Sequence, residues 1–371
     1  MKILLLPGAL KGSLSALRAG HILTRVLSPR HTVHCVPISD GGDGFIDCFL
    51  QIDPHARLVK VRACNAFLQP KNTSFLLLSD GKTAVLETAR ICGLGSAKPG
   101  ELDPLGASSY GVGQVMCAAI KRGAKRIYVG LGGVACNDGG AGMAVAAGAR
   151  LLDAHGRELP LGAQPLLQLA QADFSALSRV FKGVQIFGVA DVTNPLLGPK
   201  SSAKVFGPQK GATPTQVKIL DQAMARWAHV LQKTTGRQTA RTPSTAAAGA
   251  IAAGLYGALG GELILGADFL VRKTALDRHV RWADVVVTSE GKLDAQTFYG
   301  KAPLAVLKLA QKYHKPVLFI CGTADWKALS ARRLPRVCVA ELADFAPSVE
   351  DAKKHAGRYI ARVGKSCSYF K

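Results

Sequence analysis

Aromatic side chains make up only 6% of this 371-residue chain, acidic residues number 25 against 47 Lys and Arg, and no apolar run is long. Each shortage removes a class of function. The longest uncharged apolar stretches, such as Ile3 to Leu6 and Ala141 to Ala149, fall short of the roughly 20 residues that span a bilayer. Before Pro7 and Gly8 stand one lysine and four apolar residues, too short an apolar region for a secretory signal. A cytoplasmic location with no membrane partner is therefore expected. The nine cysteines lie at least thirteen positions apart, which excludes CxxC zinc or redox pairs and suggests no disulfide framework.

The scarcity of acidic residues leaves a formal net charge of +22, an excess that often marks a nucleic-acid partner. Its distribution argues otherwise. Lys and Arg occur in short scattered groups, Arg57 to Arg62, Lys121 to Arg126 and Arg332 to Arg336, without a long basic run and without interleaved aromatics on which bases could stack. No nucleic-acid partner is expected, and attraction of polyanionic small molecules is a by-product of the basic surface. Hydrophobic residues at 48% and charged ones at 19% suit a packed globular chain. The length exceeds what one core usually serves, so two domains are expected.

Periodicity predicts an α/β protein. The run Lys2 to Leu6 reads as a strand, the amphipathic stretch Ala16 to Leu27 behind Ser13 and Ser15 as a capped helix, Thr32 to Val36 as a strand and Phe45 to Gln51 as a helix. Two βα units in series imply a parallel sheet. Leu58 to Val61, Thr73 to Leu78 and Thr83 to Glu87 read as strands separated by turns, paired antiparallel. Further strands are predicted at Arg126 to Leu131, Val184 to Ala190, Asp284 to Thr288 and Pro316 to Cys321, and helices at Gly113 to Lys121, Ala141 to Ala149, Thr215 to Leu231 and Pro303 to Lys312. The last elements repeat the βαβ grammar of the first. One sheet is thus expected from both chain ends, 1–56 with 262–371, and an inserted α/β domain with a mixed sheet from 57–261.

Glycine and acidic residues coincide where predicted strands end: Asp40 to Gly44, Gly130 to Gly142, Asp191, and Glu290 to Asp294. Ligands bind at strand carboxyl ends in open α/β sheets, and a glycine-rich loop opening a helix offers backbone N–H groups to phosphate. The familiar alternatives are missing. There is no GxxxxGK followed by Ser or Thr, no GxGxxG, no HRD or DFG set, no GxSxG and no HExxH. What remains is carboxylates beside glycine plus lysines in tight motifs, namely Lys11, Lys210 in Phe206-Gly-Pro-Gln-Lys-Gly211 and Lys301 in Gly300-Lys-Ala-Pro303. Phosphoryl transfer to an alcohol needs cations for the transferring group, carboxylates for Mg²⁺ and a base near the hydroxyl.

Several of these segments resemble, in order, motifs of bacterial glycerate kinases of the first class. They are Lys11-Gly-Ser13-Leu-Ser15, Ile38-Ser-Asp40-Gly-Gly-Asp43-Gly44, Leu105 to Gly113 with Ser109-Tyr110-Gly111, and Gly130 to Gly142. Asp191-Val-Thr-Asn194-Pro195-Leu-Leu-Gly198, Val205-Phe-Gly-Pro-Gln-Lys210-Gly211, Glu290-Gly-Lys-Leu-Asp294-Ala-Gln296-Thr297 and Gly300-Lys301-Ala-Pro303 complete the series. The resemblance implies a flavodoxin-like domain formed by both chain ends and a second domain with a restriction-enzyme-like fold. It also implies ATP and Mg²⁺, with D-glycerate as acceptor and 2-phosphoglycerate as product; a homodimer is a possible assembly. A weakly catalytic relative that binds nucleotide or hydroxy acid as a regulator, or a kinase for another hydroxy acid, is the alternative.

On this resemblance Asp191, Asp40, Lys301 and Lys11 are the expected catalytic residues, with Asp191 and Asp40 rivals for the base. Ser13, Gly41, Gly42, Ser109, Gly132, Gly133, Asn137, Asp138, Asn194, Lys210 and Gln296 are expected to hold substrate or phosphate, and Glu290 and Asp294 the metal. The chain departs from the pattern at Gly8 and Gly12, where carboxylates are usual, at Val134 and Cys136, where hydroxyl residues are usual, and across Ala246 to Gly254, where glycine is diluted by alanine.

Overall fold

The computed structural model describes residues 1–39, 41–42, 44–97, 100–273, 275–298, 302–329 and 335–366. In chain order the first strands are β1 (Lys2–Pro7), β2 (Thr32–Cys35), β3 (Arg57–Cys64), β4 (Pro70–Leu77), β5 (Thr83–Glu87), β6 (Arg126–Leu131) and β7 (Arg150–Leu152). They are followed by β8 (Gln171–Asp173), β9 (Gln185–Ala190), β10 (Glu262–Leu265), β11 (Val285–Leu293), β12 (Val317–Ala324) and β13 (Val337–Glu341). The chain divides into two compact units, one formed by Met1–Pro54 with the chain from Gly266 onward, the other by His55–Leu265. Among the described residues no helix is long and apolar enough to cross a membrane.

The first unit holds a five-stranded sheet in the order β13-β12-β11-β1-β2, every pair parallel. Counted within this unit the order is the flavodoxin-like 2-1-3-4-5, whose switch point lies between the first and third strands. Ile3, Leu4, Leu5 and Leu6 are all fully buried, as a parallel strand covered on both faces requires. Leu4 and Leu6 pack with Val286 and Phe319 on one face, and Ile3 and Leu5 pack with Val287, Leu318 and Ile320 on the other. The helix Ala16–Leu27 starts where Ser15 Oγ accepts the Arg18 N–H, and it lays Ala19, Leu23 and Leu27 on the second face.

The second unit holds a six-stranded mixed sheet in the order β10-β9-β6-β5-β4-β3, plus the small pair β7-β8. β3, β4 and β5 form the expected antiparallel meander, whereas β5, β6, β9 and β10 are parallel. β10, placed by the sequence reading in the first domain, pairs with β9 and belongs to this unit. The helix expected over Ala141 to Ala149 ends at Ala146, because Gly148 turns at a φ of +103° into β7. The 22-residue helix Pro214–Thr235 opens on a Thr213/Gln216 capping box. It carries the fully buried Trp227, whose Nε1 donates to the Gly139 carbonyl at 2.9 Å.

Alanine and glycine dominate 246–258 for a reason the packing supplies. The Gly139 N–H donates to the Gly249 carbonyl at 3.2 Å. A Cβ on Gly249 would lie 2.0 Å from the Cys136 carbonyl oxygen, and one on Gly254 would lie 2.8 Å from that of Gly139. Two backbone segments lie against each other here, and any larger side chain would part them.

Candidate active site

The register aligns three strand ends of the second unit. Glu87 pairs with Gly130 and Leu131 with Ala190, and neighbouring strands lie about 4.8 Å apart, so Gly132 and Asp191 stand level at the carboxyl edge of β6 and β9, with Thr88 one residue behind them at the end of β5. The buried Thr88 hydroxyl shares its proton between the carbonyls of Gly130, at 2.8 Å, and Gly132, at 3.0 Å, and accepts the Gly132 N–H at 3.2 Å. Gly133 is exposed at a φ of +63°. Among the described residues its N–H meets no acceptor. Glu87 is buried, with the Arg90 Nε 3.4 Å from its carboxylate. Asn194, beyond β9, donates from Nδ2 to the Lys200 carbonyl at 3.0 Å.

The remaining polar residues of the glycine loop point into the protein. Asp138 is fully buried. One carboxylate oxygen accepts from Ser108 Oγ at 3.0 Å, Ser109 N at 2.7 Å, Ser109 Oγ at 2.9 Å and Gly142 N at 3.1 Å, while the other accepts from Gly140 N at 3.2 Å. The Ser109 hydroxyl in turn accepts the Met143 N–H at 3.0 Å. Buried anions need such a complement of donors, and here it pins the start of the helix Ala141–Ala146 to the loop before Tyr110.

Lys210 is buried as well. Its ammonium donates to the Cys136 carbonyl at 2.6 Å and to Asn137 Oδ1 at 2.9 Å, and Asn137 Nδ2 donates to the Pro104 carbonyl at 3.2 Å. Desolvation holds the Lys210 ammonium below its ordinary 10.5. The neighbouring Cys136 thiol is held neutral, well above its ordinary 9.0, by its hydrogen bond with the free Cys92 thiol and by burial. Lys210 thus has carbonyl oxygens as its direct partners and no thiolate as counter-ion. Ser109, Asn137, Asp138 and Lys210, expected to hold substrate or phosphate, make these side-chain bonds within the protein, around the loop.

In the first unit the switch point falls between β1 and β11. The Gly8 N–H donates to the Ser289 carbonyl at 3.1 Å, and Ser289 Oγ donates to the Gly8 carbonyl at 2.9 Å. A Cβ on Gly8 would lie 2.4 Å from the Ser289 carbonyl oxygen, so this departure from the family pattern coincides with a close backbone approach. Lys11 is exposed in the loop beyond, and Ser13 Oγ donates to the Lys353 carbonyl. Thr297 Oγ1 donates to a Glu290 carboxylate oxygen at 2.8 Å and accepts the Asp294 N–H at 3.2 Å; Lys292 Nζ lies 3.9 Å from Asp294. Burial, with the Glu341 and Glu290 carboxylates nearby, pushes the Cys321 thiol up to about 12.

Gly41 turns at a φ of +102° and the Gly42 carbonyl accepts from Ser39 Oγ at 3.3 Å. Gln296 lies in the 3-10 turn Ala295–Phe298. Asp40 and Lys301 lie outside the described residues. Glu87, Thr88 and Arg90 are not among the residues expected from the sequence, where Glu87 ends the apolar strand Thr83 to Glu87 with no glycine beside it to mark the place.

The family model described as the glycerate kinase family matches residues 3–369. The glycerate kinase of Bacillus subtilis strain 168 is 35% identical over 368 residues, covering 98% of this chain and 96% of that protein. The glycerate 2-kinase of Escherichia coli K12 is 36% identical over 326 residues, 87% of this chain and 85% of that one. A crystal structure assigned as glycerate kinase 2 from Salmonella typhimurium LT2 superposes with a TM-score of 0.80 at 33% identity, covering 100% of this chain and 98% of the other. A chain that carries this parallel sheet and glycine loop and matches the profile from end to end belongs to the glycerate kinase family.

Proposed function

We propose that the chain transfers the γ-phosphoryl group of ATP to the 2-hydroxyl of D-glycerate, giving 2-phosphoglycerate. The observation that carries the reading is the likeness at 36% identity, over 87% of this chain, to a protein named as a glycerate 2-kinase. In the second unit, the open Gly133 N–H and the Asp191 carboxylate share one sheet edge, a pairing suited to an anionic acceptor that must lose a proton. Asp191 takes or orients the hydroxyl proton, a general-base contribution of about 10²–10⁴-fold. Gly132 and Gly133 supply the loop backbone around the anion. Ser109, Asn137, Asp138 and Lys210 act through that loop as positioning residues.

In the first unit Glu290 and Asp294 are hard oxygen donors, and Mg²⁺ characteristically takes one or two carboxylates together with nucleotide phosphates, so the residues present fit it. Bound there with ATP, Mg²⁺ would neutralise charge on the transferring group. Lys11 and Lys301 are assigned as cations for the phosphates, and Asp40 is the rival base. The test incubates wild-type protein and Asp191→Asn with ATP, Mg²⁺ and D-glycerate and identifies the product by NMR. Wild type should form 2-phosphoglycerate, and Asp191→Asn should lose turnover about 10²-fold or more while still binding ATP. A different phosphorylated position rejects the regiochemistry, and near-normal turnover in the variant rejects the base.

A further inference from the structure

The loop that carries Asp191 is held at its far end by one segment of the second unit, residues 242–250. The buried Thr245 hydroxyl accepts the Leu196 N–H at 2.9 Å and donates to the Thr242 carbonyl at 2.6 Å. The Ala246 N–H donates to the Asn194 carbonyl at 3.1 Å, and Ser202 Oγ donates to the Ala246 carbonyl at 3.2 Å. Leu196 itself is fully buried. Asp191 therefore stands between two fixed points, Ala190 at the end of β9 and the residues Asn194 to Leu196.

The same segment also holds the glycine loop. Just beyond Ala246, the Gly249 carbonyl accepts the Gly139 N–H, and the close approach of Gly249 to the Cys136 carbonyl leaves no room for a side chain. Along this stretch the backbone is strained. Ser244, Ala248 and Ala250 stand at φ values of +68°, +52° and +63°, a left-handed region that residues with a Cβ enter at a cost. Such conformations persist where their surroundings over-determine them, and they gather at functional sites. Here one short segment in such a conformation meets both loops of the candidate site and sets the spacing between them.

We propose that Thr245 is a positioning residue for the phosphoryl transfer, an inference that rests on the reading of Asp191 as the group that takes or orients the hydroxyl proton. By holding the Leu196 N–H, Thr245 fixes the loop that carries Asp191 against the glycine loop. Its hydroxyl is buried and bonded to Leu196 and Thr242, so it acts through the loop and touches no ligand.

The experiment uses the full chain as wild type, Thr245→Val, Thr245→Ser, Asp191→Asn and the double variant Asp191→Asn with Thr245→Val. Steady-state assays give kcat and the KM values for glycerate and ATP, and circular dichroism checks folding. Valine has the shape of threonine without the hydroxyl, so it leaves the buried Leu196 N–H unpaired. The kcat of Thr245→Val should fall about tenfold or more, because small misplacements of a reacting group carry losses of that order, while the KM for ATP stays within about twofold. Thr245→Ser should recover most of that kcat. In the Asp191→Asn background the same valine should cost less than about twofold, since a residue that acts through Asp191 then has no base left to position. Wild-type kcat in folded Thr245→Val, a serine variant as slow as the valine one, or an equal fold loss in both backgrounds overturns the assignment while leaving glycerate kinase activity standing. If the valine chains do not fold, Thr245→Cys, which keeps a weak acceptor, takes the place of valine in both backgrounds under the same criteria. A wild-type protein that does not phosphorylate glycerate, or near-normal turnover in Asp191→Asn, overturns the underlying reading and the role of Thr245 together.

Discussion

Replacing Lys210 by methionine keeps the length of the side chain and removes its charge and its donors. In the folded protein Lys210 is 3% exposed, and its ammonium bonds two buried acceptors, the Cys136 carbonyl at 2.6 Å and Asn137 Oδ1 at 2.9 Å. Each acceptor left unpaired costs about 1–3 kcal/mol, and part of that is recovered because a desolvated charge no longer has to be buried. The expected net loss is about 2–4 kcal/mol. The motif read as sequence suggests a ligand-holding lysine whose removal lowers turnover far more than stability; the buried geometry predicts a large cost to both. Urea unfolding followed by tryptophan fluorescence measures it, since Trp227 bonds Gly139 in the same loop.

The pH dependence has a definite sign. Folding lowers the Lys210 pKa below the ordinary 10.5, so between the folded value and 10.5 the unfolded chain carries a proton that the native one lacks. Stability from this group therefore rises with pH across that window, and the burial penalty is fully present below it. Wild type minus Lys210→Met should widen in favour of wild type as pH climbs toward 10.5. A variant within about 0.5 kcal/mol of wild type at neutral pH, the size of an ordinary surface change, or a difference flat with pH, refutes the buried-staple account.

Asp138→Ala should destabilise by about 3 kcal/mol or more, because it strips the acceptor from several buried donors, and urea unfolding at wild-type levels would show that the cluster contributes little. Asp277 accepts from the Tyr313 hydroxyl at 2.5 Å and pairs with Arg281 and Lys312, which lowers its carboxyl from 3.8 to about 2. Its contribution is present above pH 3.8 and lost as pH falls toward about 2. The difference in urea midpoint between wild type and Asp277→Asn should therefore shrink over that interval, and a constant difference would contradict the pairing.

Elements with strong periodicity were legible in the sequence because burial and periodicity agree there. Ile3 to Leu6 reads as a strand covered on both faces, and it is one. The elements that escaped lacked that agreement. β10 offers one exposed and three half-covered residues after two glycines, and only its register with Phe187 to Ala190 makes it a strand and gives it to the second unit. β13 is half-buried along its whole length, so its pattern separates no face.

The glycine loop was legible as a place and much less so in its chemistry. Loop glycines announce themselves by the φ angles and close approaches they permit, as at Gly133, Gly139 and Gly140. The direction of a neighbouring polar side chain has no such local signature, because it depends on which remote segment supplies its partners. Asp138 finds its donors at Ser108 and Ser109, thirty residues away, and Lys210 finds its acceptors more than seventy away. Such residues sit in ligand-like motifs and face inward, since a loop that offers its own N–H groups to an anion must be held by something other than those groups. The pair Glu87 and Arg90 makes the converse case. Nothing about a carboxylate three residues before an arginine marks a site, and only the alignment of Glu87 with Gly130 puts both beside the loop. At this sheet edge the buried polar side chains Asn137, Asp138 and Lys210 find their partners inside the protein, whereas the exposed Gly133 N–H has no acceptor among the described residues.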